Sequence, residues 1–187
     1  TRILVSHTHR DHSPGVAALQ EATGAPSLGF APHLTSPDQG GEGGDHSFRP
    51  DIILPDGAVV EADDWRITAL HTPGHCANHL CFALENEAGT GTLFSADHVM
   101  SWSTTVVGPP DGDMAQYMKS LARLAAHRHD LYLPGHGPPL PEPAPFVAAL
   151  AEHRREREQR VLDALRAAGR ATAHDLVPAA YGPTLDP

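Results

Sequence analysis

The 187-residue sequence is poor in lysine, in cysteine and in long apolar runs. Only Lys119 is a lysine, and the formal net charge of -10 disfavours a protein that holds nucleic acid mainly by electrostatic attraction. Two cysteines, Cys76 and Cys81, are too few for a disulfide framework and form no Cys-x-x-Cys motif. No apolar run approaches ~18 residues, so no membrane partner is expected. A cytoplasmic location is the simplest expectation, although a chain that begins with Thr1 leaves a signal peptide open.

Histidine and the loop-forming residues are abundant instead. Fourteen His outnumber the 13 Lys and Arg, and histidine is the commonest metal ligand in proteins. Gly 17 and Pro 18 indicate a protein rich in loops, while a hydrophobic content of 40% is enough for a packed core. The length predicts one domain with at most a small appendage.

Short apolar segments separated by turns predict an α/β (α+β) fold. A first strand ends at Ser6, and a helix is expected from Ser13, as N-cap, to Gly24. A second helix is expected after its N-cap Asp113. A further apolar segment lies at 28–30, and a strand is predicted at 131–133. One sheet is predicted from 52–54, 58–60, 65–70, 80–84 and 93–94, and loops are predicted at 36–50 and 86–91.

The composition changes after the proline-rich segment 138–145, which predicts a hinge. Residues 146–168 predict a helix on which arginines alternate with glutamates, and Thr172 with Asp175 predicts a capping box for another helix. Two units are therefore expected, 1–144 and 145–187.

The strongest chemical motif is His7-Thr8-His9-Arg10-Asp11-His12, at the end of the first strand. Alternation along a strand places His7 and His9 on one face, and the following turn lets Asp11 and His12 fold back beside them. Four possible metal ligands within six residues are seldom assembled by chance.

Three more candidate ligands follow the ends of predicted strands. They are His75 in Thr-Pro-Gly-His, Asp97 in Ser-Ala-Asp-His and His136 in Pro-Gly-His-Gly. Each alone also fits a turn or a core residue. Because loops at one end of a sheet meet, the set is expected to form a single metal site with the first motif.

These motifs resemble the signature of the metallo-β-lactamase superfamily, a His-x-His-x-Asp-His turn followed by separate His, Asp and His ligands. The sequence is similar to the β-lactamase-like protein 2 subgroup in its motifs at 72–75, 104–106, 112–114 and 132–137. The resemblance implies an αββα sandwich that lacks most of its N-terminal sheet here, because in the family that sheet mostly precedes the His turn. Residues 165–181 resemble the start of a winged-helix domain.

The resemblance also implies two divalent cations, most simply zinc, with iron or manganese as alternatives. His7, His9 and His75 would hold one cation, Asp11, His12 and His136 the other, and Asp97 would bridge the two. A metal-bridging hydroxide would be the nucleophile. Asp11 would help to orient the water, so Asp11 and Asp97 are the catalytic candidates.

Three functions are compatible with this site. The first is hydrolysis of phosphodiesters in single-stranded RNA, and the second is hydrolysis of a small-molecule thioester, ester or lactone, as in glyoxalase II. The third is a non-catalytic metal-binding or winged-helix regulator. A homo-oligomer is compatible with each of them.

The remaining candidates are side chains around the site. His79 and His98 are expected either to orient ligands or to pack in the core, His71 is expected to pack in its strand, and Phe48 and Trp102 are candidate substrate contacts. The other histidines are expected on loops or helix surfaces: His33, His46, His127, His129, His153 and His174.

Overall fold

A computed structural model describes residues 1–35, 43–62, 64–85 and 91–182. Parts of the predicted loops, 36–42 and 86–90, lie outside the described residues. The chain divides into two compact units, Thr1–Ala144 and Pro145–Pro187. No helix in the described ranges is both long enough and apolar enough to cross a membrane.

Two sheets form the first unit. A parallel three-stranded sheet contains β1 (Ile3–Leu4), β2 (Ser27–Gly29) and β3 (Ile52–Ile53), and α1 (Val16–Thr23) connects the first two strands. The second sheet has six strands in sequence order: β4 (Val59–Ala62), β5 (Trp65–His71), β6 (Leu80–Glu85), β7 (Gly91–Ala96), β8 (Leu131–Pro134) and β9 (Leu140–Pro141). Strands β4 to β7 form the predicted antiparallel meander, and β8 pairs parallel to β7 after the crossover helix α2 (Met114–Ala126).

The core joins the two sheets. Leu28 of the small sheet packs in one buried cluster with Val60, Ala69, Leu80 and Phe82 of the large sheet. Burying such aliphatic and aromatic side chains contributes about 1.5–3 kcal/mol each. The predicted mixed α/β class is confirmed, and this packing brings the C-terminal ends of β1, β7 and β8 within reach of one another.

Three predicted boundaries were wrong. The strand at 52–54 does not join the large sheet but pairs with β2, where the Asp51 carboxylate accepts hydrogen bonds from the backbone and hydroxyl of Ser27 at 2.8 Å. Helix α1 begins at Val16 rather than after Ser13, because the Ser13 hydroxyl donates instead to Asp45 at 2.7 Å. The expected hinge contains β9 and the start of α3 (Pro143–Ala168), since proline is tolerated in a first helical turn.

Helix α2 begins at the predicted cap, because the Asp113 carboxylate accepts a hydrogen bond from the backbone N–H of Gln116 at 2.8 Å. We expect Asp113→Ala to lower the free energy of unfolding by about 1 kcal/mol, since it removes this bond. Urea denaturation measures the change. Asp113→Asn keeps an acceptor oxygen and should unfold like the parent, so an equally large loss in both variants would contradict the capping role.

The second unit contains most of α3 and α4 (Ala173–Tyr181). The predicted capping box is confirmed, with Thr172 and Asp175 exchanging side-chain to backbone hydrogen bonds. The Arg157 guanidinium lies 4.3 Å from the centre of the Tyr181 ring and connects the two helices. The winged-helix assignment stays a prediction.

Candidate metal centre

The His-rich turn that follows β1 is stabilised by hydrogen bonds within the turn and by hydrogen bonds to Gly43 and Asp45. The backbone N–H groups of His12 and Ser13 donate to the carbonyl of His9 at 3.0 and 3.1 Å, which closes the turn. Arg10 N–H donates to the Gly43 carbonyl at 2.8 Å, and Asp45 N–H donates to the Thr8 carbonyl at 2.7 Å. These bonds fix the direction of the side chains that the turn carries.

The other predicted ligands lie at the ends of three strands of the large sheet. His75 follows β5, Asp97 follows β7 and His136 follows β8. The turn before His75 requires Gly74, which has φ +139° and would place a Cβ 2.3 Å from the backbone of Tyr117. Because β7 and β8 are parallel, Asp97 and His136 emerge at the same edge.

Three imidazoles form a first donor group, His7, His9 and His75, whose ligand atoms lie within 4.8 Å of one another. His9 Nδ1 is 3.2 Å from His7 Nε2 and 2.9 Å from His75 Nε2. The opposite nitrogen of His75, Nδ1, donates to the Val106 carbonyl at 2.7 Å. Because a carbonyl only accepts, this bond leaves the lone pair of neutral His75 on Nε2, directed into the group.

A second donor group adjoins the first and contains Asp11, His12, Asp97 and His136. His136 Nε2 lies 3.1 Å from Asp11 Oδ2 and 3.6 Å from Asp97 Oδ2, and His12 Nε2 lies 3.3 Å from Asp97 Oδ1. The side chain of Asp11 is 59% exposed, whereas that of Asp97 is 8% exposed. The second group therefore opens to solvent at Asp11.

Asp97 connects the two groups. Its Oδ2 atom lies 4.0 Å from His7 Nε2 and 3.8 Å from His75 Nε2, in addition to its contacts with the second group. All seven candidate ligands therefore lie in two adjoining groups that Asp97 connects.

The protonation states suit a cation. Burial lowers the pKa values of His7 and His75 and lowers that of His9 to about 4, so these rings are neutral at pH 7. Burial alone would raise the pKa of Asp97, but the surrounding histidines, His12 first, lower it overall. Neutral imidazoles beside a carboxylate are the ligand forms that divalent metals require.

Two buried atoms of the second group lack the partners that such atoms normally have. His12 Nε2 and Asp97 Oδ1 face each other at 3.3 Å, but neither atom has a hydrogen-bond partner among the described residues. A buried polar atom without a partner costs free energy unless something satisfies it. A divalent cation between these atoms would do so, and the residues present therefore fit a metal.

Two more histidines, His79 and His98, lie next to Asp97. His79 is fully buried, its Nε2 accepts the backbone N–H of Asp97 at 3.3 Å, and its Nδ1 bonds the Thr72 hydroxyl at 2.8 Å. This geometry fits the orienting role. His98 packs with its ring centre 4.6 Å from that of Tyr117 and has no hydrogen-bond partner for either ring nitrogen among the described residues, which fits core packing.

The two aromatic candidates are Trp102 and Phe48. Trp102 is 70% exposed beside the turn of Gly137, where an added Cβ would lie 3.1 Å from the indole. Phe48 belongs to a turn organised by Asp45, which accepts its backbone N–H at 3.2 Å. Their contact with a substrate stays a prediction. His71 packs as predicted, stacked 3.8 Å from Phe30.

One histidine is more buried than its loop position suggests, and one residue was missed. His33 lies on a loop, as predicted, but its side chain is only 5% exposed and bonds the Thr8 and Thr35 hydroxyls at 2.8 Å. Asp111 was missed because its Pro-Pro-Asp-Gly sequence is typical of a simple turn. It lies within 4.8 Å of donor atoms of both His9 and Cys76.

That third group is a poor metal site. Burial raises the pKa of Cys76 well above its ordinary value, which disfavours the thiolate that would bind a cation. His9 also belongs to the first donor group, and one ring nitrogen binds one cation.

Comparisons with known proteins agree with this architecture. A curated relative from Aspergillus chevalieri, named atrochrysone carboxyl ACP thioesterase, is 31% identical over 96% of this chain and 54% of its own length. A β-lactamase domain protein from Burkholderia ambifaria superposes with a TM-score of 0.71 at 23% identity, covering 96% of this chain and 62% of that one. The structure of TTHA1623 in a di-iron-bound form superposes with a TM-score of 0.57 at 26% identity, covering 76% and 73%.

The chain matches part of the length of individual relatives, and it also matches the model of a whole family. The chain spans about half the length of the curated relatives it matches, between 54 and 56% for the first three. The sequence model of the metallo-beta-lactamase superfamily matches residues 1–136, which include all seven candidate ligands. The chain therefore belongs to the metallo-β-lactamase superfamily.

Proposed function

We propose that this chain carries the catalytic centre of a metal-dependent hydrolase that cleaves a thioester of a small acyl group. The observation that supports the hydrolase is the pair of adjoining donor groups that share Asp97. The thioester is supported by the relative named as a thioesterase.

The metal ligands would divide as the two donor groups do. His7, His9 and His75 would hold one cation, Asp11, His12 and His136 the other, and Asp97 both. Seven donors for two cations leave coordination positions open, whereas a structural zinc site is normally closed by four protein ligands. This difference favours an enzyme over a regulator with structural metals. Zinc suits the donor set, and iron or manganese would also fit.

Bound divalent cations would supply Lewis acidity, which polarises the acyl carbonyl and activates water for attack. The exposed carboxylate of Asp11 lies at the open side of the site, where its oxygen can accept a hydrogen bond from the attacking water. The buried Asp97 carboxylate holds the two halves of the site together. Water adds to the carbonyl carbon, the C–S bond breaks, and a carboxylic acid and a thiol leave.

The phosphodiester alternative has weaker support. The arginines that would meet phosphates on α3 include Arg155 and Arg166, which pair at 2.9 Å with Glu152 and Asp163 of the same helix. The formal net charge of -10 also opposes a polyanionic substrate. The acyl hydrolase is therefore preferred.

Removal of metal from the full-length protein tests this function. We expect dipicolinate treatment to reduce the hydrolysis of butanoyl-N-acetylcysteamine by at least about 100-fold, because water activation by a cation is lost. Added zinc, iron(II) or manganese should restore it, with the released thiol measured colorimetrically. Bis(p-nitrophenyl) phosphate is the parallel substrate. Faster turnover of the phosphodiester would favour the nuclease, and a metal-replete protein inert toward both would favour a structural role.

A further inference from the structure

A cavity of about 330 Å³ lies beside the first donor group. His9 and His75 form part of one wall, and His33 and Asp111 line it as well. A substrate that reaches the first donor group through this cavity would contact His33 and Asp111. Neither of them belongs to the seven candidate metal ligands.

Asp111 offers the cavity an unused acceptor. Its Oδ1 accepts the backbone N–H of Ala77 at 3.1 Å, which fixes the carboxylate. Its Oδ2 is buried and has no hydrogen-bond partner among the described residues, while the side chain as a whole is 11% exposed. A carboxylate oxygen withdrawn from water in this way needs a hydrogen-bond donor, and a ligand in the adjoining cavity can supply one.

His33 does not provide that donor. Its Nε2 atom lies 3.8 Å from Asp111 Oδ2, which is too long for a hydrogen bond, and bonds the Thr35 hydroxyl at 2.8 Å. Its Nδ1 atom bonds the Thr8 hydroxyl, which Asn78 also reaches at 2.8 Å. Both ring nitrogens of His33 therefore have hydrogen-bond partners, and the ring is held in place on the side of the cavity that faces Asp111 Oδ2.

We propose that Asp111 determines acyl specificity by accepting a hydrogen bond from a hydroxyl group on the substrate, close to the thioester carbonyl. The proposal rests on the proposed hydrolase function. A carboxylate oxygen of Asp111 lies within 4.8 Å of a ring nitrogen of His9, so a group that hydrogen-bonds to this carboxylate lies close to the first donor group. A hydroxyl on the second carbon from the carbonyl satisfies this condition, whereas a keto oxygen there would face the carboxylate lone pairs without a proton to share.

Three N-acetylcysteamine thioesters test the proposal on the metal-replete full-length protein: 3-hydroxybutanoyl, 3-oxobutanoyl and butanoyl. We expect kcat/KM to be about 10- to 100-fold higher for the hydroxy than for the oxo substrate, because a hydrogen bond to a charged group contributes an effect of this size. Asp111→Asn keeps the acceptor for Ala77 and replaces the free oxygen by an N–H donor. The preference should then fall at least tenfold, with the oxo substrate improved relative to the hydroxy substrate.

Binding of the free acids gives a readout without turnover. Calorimetric Kd values for 3-hydroxybutanoate and 3-oxobutanoate should follow the same order and shift in the same direction in Asp111→Asn. The matched control is Asp130→Asn, an exposed carboxylate just before β8, which should behave like the parent in every assay.

The outcomes separate the two proposals. Cleavage of all three thioesters at equal kcat/KM, or an unchanged preference in a folded Asp111→Asn that keeps its metal, would overturn the Asp111 subsite and leave the hydrolase standing. Cleavage of none by metal-replete protein would overturn the hydrolase, and the subsite with it.

Discussion

Asp97→Ala is expected to lose bound metal and hydrolytic activity together. Asp97 is the side chain whose carboxylate contacts both donor groups, with Oδ1 directed at His12 and Oδ2 at His7, His75 and His136. Its removal takes a ligand from each cation and removes one negative charge from beside the facing imidazoles. We expect metal content to fall from about two cations per chain to one or none, and kcat/KM to fall at least about a thousandfold, which corresponds to about 4 kcal/mol.

Two variants show whether this loss is specific. Asp97→Asn keeps the shape of the side chain and one acceptor oxygen, so it should retain more metal than the alanine variant but less than the parent. Asp130→Ala removes an exposed carboxylate and should change neither quantity. Metal content is measured by mass spectrometry and thermal unfolding is recorded in parallel. Full occupancy of both sites in a folded Asp97→Ala would show that the carboxylate does not bridge.

The sequence predicts those features of the site that depend on local geometry. The turn from His7 to His12 carries four candidate ligands within one segment, so its spacing alone brings them together. His75, Asp97 and His136 could be added because each follows a strand end, and the register of β5, β7 and β8 places these ends at one edge. The division into two donor groups came from the family resemblance rather than from spacing.

The features that sequence did not predict depend on contacts between distant residues. Ser13 has the residue type of an N-cap, but its hydroxyl is bound to Asp45, 32 positions away. The strand at 52–53 pairs with β2, next to which the Asp51 carboxylate accepts a hydrogen bond from Ser27, 24 positions away. Asp111 is distinguished from a turn residue by its burial and by an oxygen that has no hydrogen-bond partner among the described residues. No local pattern contains this information.

Gly135→Ala is expected to damage the metal centre without altering a ligand. An ideal Cβ on Gly135 would lie 2.5 Å from Asp97 Oδ1, closer than real Cβ atoms approach, and 3.0 Å from His12 Cε1, which is tighter than most real contacts. The φ of Gly135 is not in the left-handed region, so alanine can adopt the backbone conformation and the effect is steric. The Asp97 carboxylate must move, and a displacement of about 1 Å in a catalytic group can cost about 100-fold in rate.

The matched control is Gly15→Ala, at a position where an added Cβ meets no atom within 4 Å. Because both variants add one methyl group, a difference between them reports the space around Asp97 rather than a general effect of replacing glycine. We expect Gly135→Ala to lose about 10- to 100-fold in kcat/KM and part of its metal, while Gly15→Ala keeps both. The metal-free Gly135 variant should also unfold at a lower temperature, because overpacking costs about 1–3 kcal/mol. Parent-like metal content and kcat/KM in Gly135→Ala would mean that Asp97 can shift without loss, and the requirement for a fixed bridging carboxylate would then fall.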